Sequence, residues 1–142
     1  MENSKEMLSF ILKTTQTGQI GIRSILSCAM RPNLRIILEA QLQEYDSIES
    51  EAHAIAALRG WELQDIDPMK RFLSGMKTRC RLSRGNPDRK IADMVIQRST
   101  KEFCSGLRHH ENFGSRDPHI STLSQKLLDC EAAHIRQMQW FL

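Results

Sequence analysis

The chain has 142 residues, 40% of them hydrophobic and 26% charged, which is enough to bury a core in one globular domain, 1–142, without disulfide or metal staples. A net charge of +3 is too mild an excess to imply nucleic acid by itself. No apolar run approaches the ~18 residues of a membrane span, and the polar start Met-Glu-Asn-Ser-Lys-Glu-Met lacks the apolar stretch of a signal peptide, so a cytoplasmic protein is expected.

Strands are hard to place, because the β-branched and aromatic residues never alternate between turn signals. Helical spacing runs through most of the chain instead. Residues 4–30 read as a first helix, with Leu8, Ile11, Thr15, Gly18, Ile22, Ile25 and Ala29 on one stripe. Arg31-Pro32-Asn33 interrupts it, since Pro disfavours helix before it and suits the first turn of a new one. A second helix follows over Pro32–Arg59, with Leu34, Leu38, Leu42 or Gln41, Tyr45, Glu49, Ala52, Ile55 and Ala56 as its stripe and Gly60 just past its end.

Trp61 to Ile66 reads as a connection. Asp67-Pro68 is a cap and first-turn signal for a short helix to about Leu82, with Met69, Phe72, Leu73 and Met76 as its apolar side. Ser83-Arg84-Gly85-Asn86-Pro87 is the strongest loop signal in the chain, and Asp88 begins the third long helix. That helix carries Ile91, Ala92, Val95, Ile96, Ser99, Phe103, Gly106, Leu107, His110 and Phe113. After Gly114-Ser115-Arg116-Asp117-Pro118, a last helix runs to the C-terminus on Ile120, Leu123, Leu127, Met138 and Phe141. Short connections between long amphipathic helices imply antiparallel neighbours. The expected fold is all-α, a four-helix bundle with an additional short helix between the second and third long ones.

The polar residues on the inward stripes are the chemically informative ones. Glu131 and His134 lie three apart, in Glu-Ala-Ala-His, near the middle of the last helix's apolar face. Thr15, Gln19, Tyr45, Glu49 and Ser99 sit near mid-helix elsewhere, so all could meet in one layer. A carboxylate and an imidazole aimed into a helical core are metal ligands or members of a hydrogen-bonded network. As ligands, Glu49, Glu131 and His134 form a three-residue set suited to iron, manganese or zinc. A full di-metal site needs about four carboxylates and two histidines. The first helix offers no inward carboxylate, Glu102 lies at the edge of the third long helix, and Glu49 and His53 are four apart rather than three. The network therefore takes precedence over the metal, and no catalytic residue or cofactor is assigned.

The remaining clusters favour surfaces. Lys70, Arg71, Lys77, Arg79, Arg81, Arg84, Arg89 and Lys90 face a single acid, Asp88, in the same stretch. The basic segment 70–90 is suited to phosphates or to a solvated face, but lacks the interleaved aromatics of a stacking platform. His109 and His110 point in different directions on a helix and suit its C-terminal dipole. Cys28, Cys80, Cys104 and Cys130 form no Cys-x-x-Cys pair and read as reduced thiols; Cys130, on the core side, is no nucleophile. Trp140 falls opposite the core stripe and is a candidate dimer contact.

Gly18-Gln19, Gln43-Glu44-Tyr45, the segment Ile91-Ala92-Asp93-Met94-Val95-Ile96-Gln97 and the ending Leu127-Leu128-Asp129-Cys130-Glu131 together resemble a family of bacterial proteins of unknown function. These are common in anaerobic Firmicutes and are described as ferritin-like four-helix bundles. The resemblance implies a fold and no activity. Compared with metal-binding ferritin-like proteins, only Glu131-x-x-His134 matches a ligand motif. The first reading is a non-catalytic structural or interaction protein acting as a homodimer, with no membrane contact. A ferritin-like metal-binding protein using Glu49, Glu131 and His134 is the alternative, and a nucleic-acid accessory protein using 70–90 is the third.

Overall fold

A computed structural model describes residues 3–66 and 85–142. Among these the fold is all-α, with four long helices and no strand: α1 (Ser4–Leu26), α2 (Pro32–Leu58), α3 (Pro87–Phe113) and α4 (Pro118–Met138), closed by a 3₁₀ turn at Gln139–Phe141. The short helix expected near 68–82 lies outside the described residues, as do Cys80 and most of the basic segment.

The helix ends follow from local chemistry. Asn3 caps α1 in a reciprocal pair: its side chain accepts from the Glu6 amide at 2.8 Å, and Glu6 accepts from the Asn3 amide at 3.3 Å. α1 stops at Leu26, a turn short of the expected limit at 30. Pro32 opens α2 and Gly60, at φ +69°, lies just past its end, as the sequence predicts. Asn86 caps α3, and Asp88 is a first-turn residue rather than the start.

Asp88 serves a second element. Its carboxylate is buried and accepts from the backbone amides of Met30 at 2.7 Å and Arg31 at 3.1 Å. The α1–α2 corner thus gets its cap from α3. The opposite end has its own clamp, in which Arg59 beyond α2 grips both oxygens of Asp117 at the start of α4. That grip holds the Asp117 carboxyl down at about 2.

α1 packs most extensively on α2, and α3 on α4; α1 also meets α3 and α4, and α2 meets α4. The α1 stripe is buried throughout, from Leu8 to Ala29. On α2 the buried residues are Leu34, Leu38, Gln41, Tyr45, Ile48, Ala52 and Ala56. Ile48, not Glu49, occupies the core position, and of the two residues expected at the position before Tyr45, Leu42 and Gln41, it is Gln41 that is buried. A rotation well short of one residue's ~100° makes that exchange, because Leu34, Leu38, Tyr45, Ala52 and Ala56 keep their places on the stripe. On α3, Leu107 is 40% exposed and leaves the predicted stripe.

Gly18 fixes how closely α1 and α2 approach. The Tyr45 ring lies over it, with Cε2 at 2.6 Å from where a Cβ would stand. The ring is wholly buried and has no room to swing away. Gly18→Ala should therefore cost about 1–3 kcal/mol through overpacking, although alanine is the better helix former. At Gly106 an added methyl meets only the tip of Leu128, Cδ2 at 3.1 Å. Urea unfolding should show a smaller loss for Gly106→Ala than for Gly18→Ala; the reverse order would mean that Tyr45 does not set the helix spacing.

Candidate functional site

The centre of the bundle is a polar layer built around Tyr45, Glu131 and His134, all at 0–1% exposure. Tyr45 arrives from α2, and its hydroxyl donates to Glu131 Oε1 at 2.6 Å. Its only proton is spent there, so toward His134 Nδ1, 3.3 Å away, the Tyr45 oxygen acts as acceptor. The imidazole then carries its hydrogen on Nδ1 and presents a lone pair at Nε2. The rings meet edge to face, with centroids 5.1 Å apart.

Two groups lie 3.3 Å from that lone pair: Cys130 Sγ, one turn earlier on α4, and Glu44 Oε2 from α2. Among the described residues, Glu44, Cys130 and His134 are the cluster whose potential ligand atoms converge, all within 4.8 Å of one another. Cys130 is buried, whereas the Glu44 side chain is 43% exposed and links the cluster to solvent.

Other predicted members of the layer lie elsewhere. Thr15 donates to the Ile11 carbonyl of its own helix at 2.7 Å. Gln19 donates to Asp46 at 2.8 Å and Glu49 at 3.2 Å, while Gln16 bridges Glu49, Asp65 and the Ile66 amide. Glu49 therefore belongs to a half-buried seam joining α1, α2 and residues 61–66, and is not part of the converging cluster. His53 is exposed. Ser99 is buried beside Glu131. His109 stacks on Phe10 and His110 meets Ser124 at 2.9 Å, so the two rings serve different helices.

The sequence reading missed Arg98 and Glu44. Arg98 runs from α3 across Gly21, and its Nε and Nη2 are buried without a hydrogen-bond partner. Cationic side chains are placed at the surface by default, and nothing in the spacing marks this one as inward. A signal for the cluster did exist: Cys130 and His134 are four apart and share one face of α4.

Burial dominates the electrostatics. It raises the Tyr45 hydroxyl, the Cys130 thiol and the Glu131 carboxyl, with Arg98 acting in the opposite direction on each. Burial and the Arg98 charge both depress His134, to about 3. The contact with Glu44 is consequently made by a neutral ring and is not an ion pair. Burial thus favours the uncharged form of each of these groups.

Comparison with protein families, curated proteins and solved structures yields no match. The class that the described residues define is an all-α, four-helix protein with a polar layer at mid-height.

Two outcomes follow. Tyr45→Phe removes the donor to Glu131 and the acceptor for His134 Nδ1, and should cost about 1–3 kcal/mol in urea unfolding; a change within error would mean both groups are solvated. The second concerns pH. Unfolded His134 takes a proton below about 6.5, while the folded ring resists protonation until about 3. Its contribution is therefore complete above pH 6.5 and lost as pH falls toward 3. The raised Glu131 carboxyl acts oppositely, losing stability as pH rises past its unfolded value. The stability difference between wild type and His134→Gln isolates the histidine, and should shrink by about 2 kcal/mol from pH 7.5 to pH 5. A pH-independent difference would refute the neutral, buried imidazole.

Proposed function

We propose that this chain is a non-catalytic interaction protein, a cytoplasmic, antiparallel, ferritin-like four-helix bundle that works as a homodimer. The topology is supported by the order of contacts. Gln16 and Gln19 on α1 meet Glu49 and Asp46 on α2. Phe10 and Gly21 meet His109 and Arg98 on α3. On α2, Gln41, Tyr45 and Glu51 meet Gln137, Glu131 and Lys126 on α4. Gly106 and His110 meet Leu128 and Ser124. In each pair the numbers run in opposite directions. α2 and α3 then point the same way, the helix order that ferritin-like folds share.

A non-catalytic role is supported by burial, which raises the Cys130 thiol and depresses His134, so that neither is set up as a nucleophile or a charged acid–base partner. No described helix is long and apolar enough to cross a membrane. Cys28, Cys104 and Cys130 are free thiols, in keeping with a reducing compartment.

The observation that carries the interaction reading is an apolar end. Among the described residues, the large hydrophobic side chains more than 60% exposed are Leu58 at the end of α2 and, apart from it, Met30, Ile36, Trp140 and Leu142. The latter four lie where α1 and α4 end and α2 and α3 begin. Leu142 lies beside Asn86, Arg89 and Lys90, and the Met30 amide meets Asp88. Phe141 is buried, so the 3₁₀ turn anchors itself through one aromatic ring and presents the next, Trp140, outward. Exposed tryptophan beside aliphatic residues is a common centre for protein interfaces. Light scattering should give a dimer mass for wild type and a monomer mass for Trp140→Ala at the same concentration. A monomeric wild type, or a dimer indifferent to the substitution, would overturn this assignment.

A further inference from the structure

We propose that Glu44, Cys130 and His134 form a binding site for one divalent d-block cation, with zinc as the best match. Sγ, Nε2 and Oε2 each bring lone pairs to one small region, within 4.8 Å of one another. The Tyr45 contact assigns the ring hydrogen to Nδ1, so Nε2 has none to offer. The thiol hydrogen is the single proton available, and it can satisfy one of its two neighbours. Three acceptors served by one hydrogen form an arrangement that a cation completes.

The distances agree. Nε2 is 3.3 Å from both Sγ and Oε2. Zinc bonds of about 2.0–2.3 Å in tetrahedral geometry place neighbouring ligand atoms about 3.3–3.7 Å apart. The donor set selects the ion class, because magnesium and calcium take oxygen, whereas thiolate with imidazole suits zinc and its d-block neighbours. Binding releases the Cys130 proton as the sulfur–metal bond forms, with no change of oxidation state. One thiolate and one carboxylate then neutralise a divalent ion, which lowers the cost of holding charge at the edge of a core.

The surroundings match those of a metal-bound histidine. His134 Nδ1 faces Tyr45, which is fixed in turn by Glu131, so the ring is oriented by the partner chain that such ligands use. Glu131 thus acts behind the site rather than in it, unlike the carboxylate of a Glu-x-x-His ligand motif. Glu44 lies on the solvent side and gives the ion an entry path. Three protein ligands leave a fourth position for water or an exogenous group.

The test uses the full chain without a histidine tag, stripped with EDTA and dialysed. Zinc titrated against a chromophoric chelator should bind at one equivalent. Cobalt in its place should give a thiolate-to-cobalt charge-transfer band and the ligand-field spectrum of a four-coordinate ion. Cys130→Ser should abolish the charge-transfer band, and Cys104→Ser should leave it unchanged. Glu44→Gln, at a half-exposed position where folding is not at stake, should weaken zinc at least about tenfold, and Tyr45→Phe should weaken it about 10- to 100-fold. Absence of stoichiometric zinc in wild type, a charge-transfer band that survives Cys130→Ser, or unchanged affinity in Glu44→Gln would each overturn the proposal.

Discussion

The hydrogen bond from Tyr45 to Glu131 is the interaction on which the centre of this molecule depends. A carboxyl group on the core face of α4 has no access to water and must find a donor within the protein. The donor comes from α2, and it can reach because Gly18 on α1 vacates the space that the tyrosine ring fills. Three helices are thereby held to one register by a single polar contact. Hydrophobic side chains along the same stripes would tolerate a slide of a fraction of a turn, whereas a 2.6 Å hydrogen bond would not.

From that contact the polar order spreads outward. Once the tyrosine proton is committed, the histidine tautomer is set, and Nε2 must face Cys130 and Glu44 as an acceptor. Arg98 influences the same groups from the α3 side. It opposes burial at Tyr45, Cys130 and Glu131 and reinforces it at His134. The layer is thus graded, with a guanidinium on one side, buried Tyr45, Glu131 and His134 at the centre and a half-exposed carboxylate on the other. Apolar residues continue above and below, from Met7 and Leu8 to Ile22 and Ile25 on α1.

The helices were legible in the sequence because their signals are local. Pro32, Pro87 and Pro118 stand in the first turns of three helices, and Gly60 and Gly114 lie just past two helix ends with positive φ. Glu131 and His134 were legible as core residues because they interrupt an otherwise apolar stripe. The partners were not, because partnership depends on the rotation of a second helix. Glu44 and Glu49 lie five residues apart, about 140° around α2, so one faces His134 and the other Gln16 and Gln19, and periodicity does not resolve which edge of a stripe meets which neighbour. Arg98 was hidden for a different reason. A long aliphatic stem can carry its charge inward or outward from the same backbone position, and the space over Gly21 decides which.

The capping of the α1–α2 corner by Asp88 bears on how the chain assembles. A helical hairpin ordinarily contains the groups that finish its own turn. Here the amides of Met30 and Arg31 wait for a carboxylate more than fifty residues further along the chain. The first half of the protein is in this respect an unfinished object until the second half docks. Stability that would have been local is made conditional on a distant contact, which binds the two helix pairs into one cooperative transition and disfavours a half-folded intermediate with α1 and α2 alone in place.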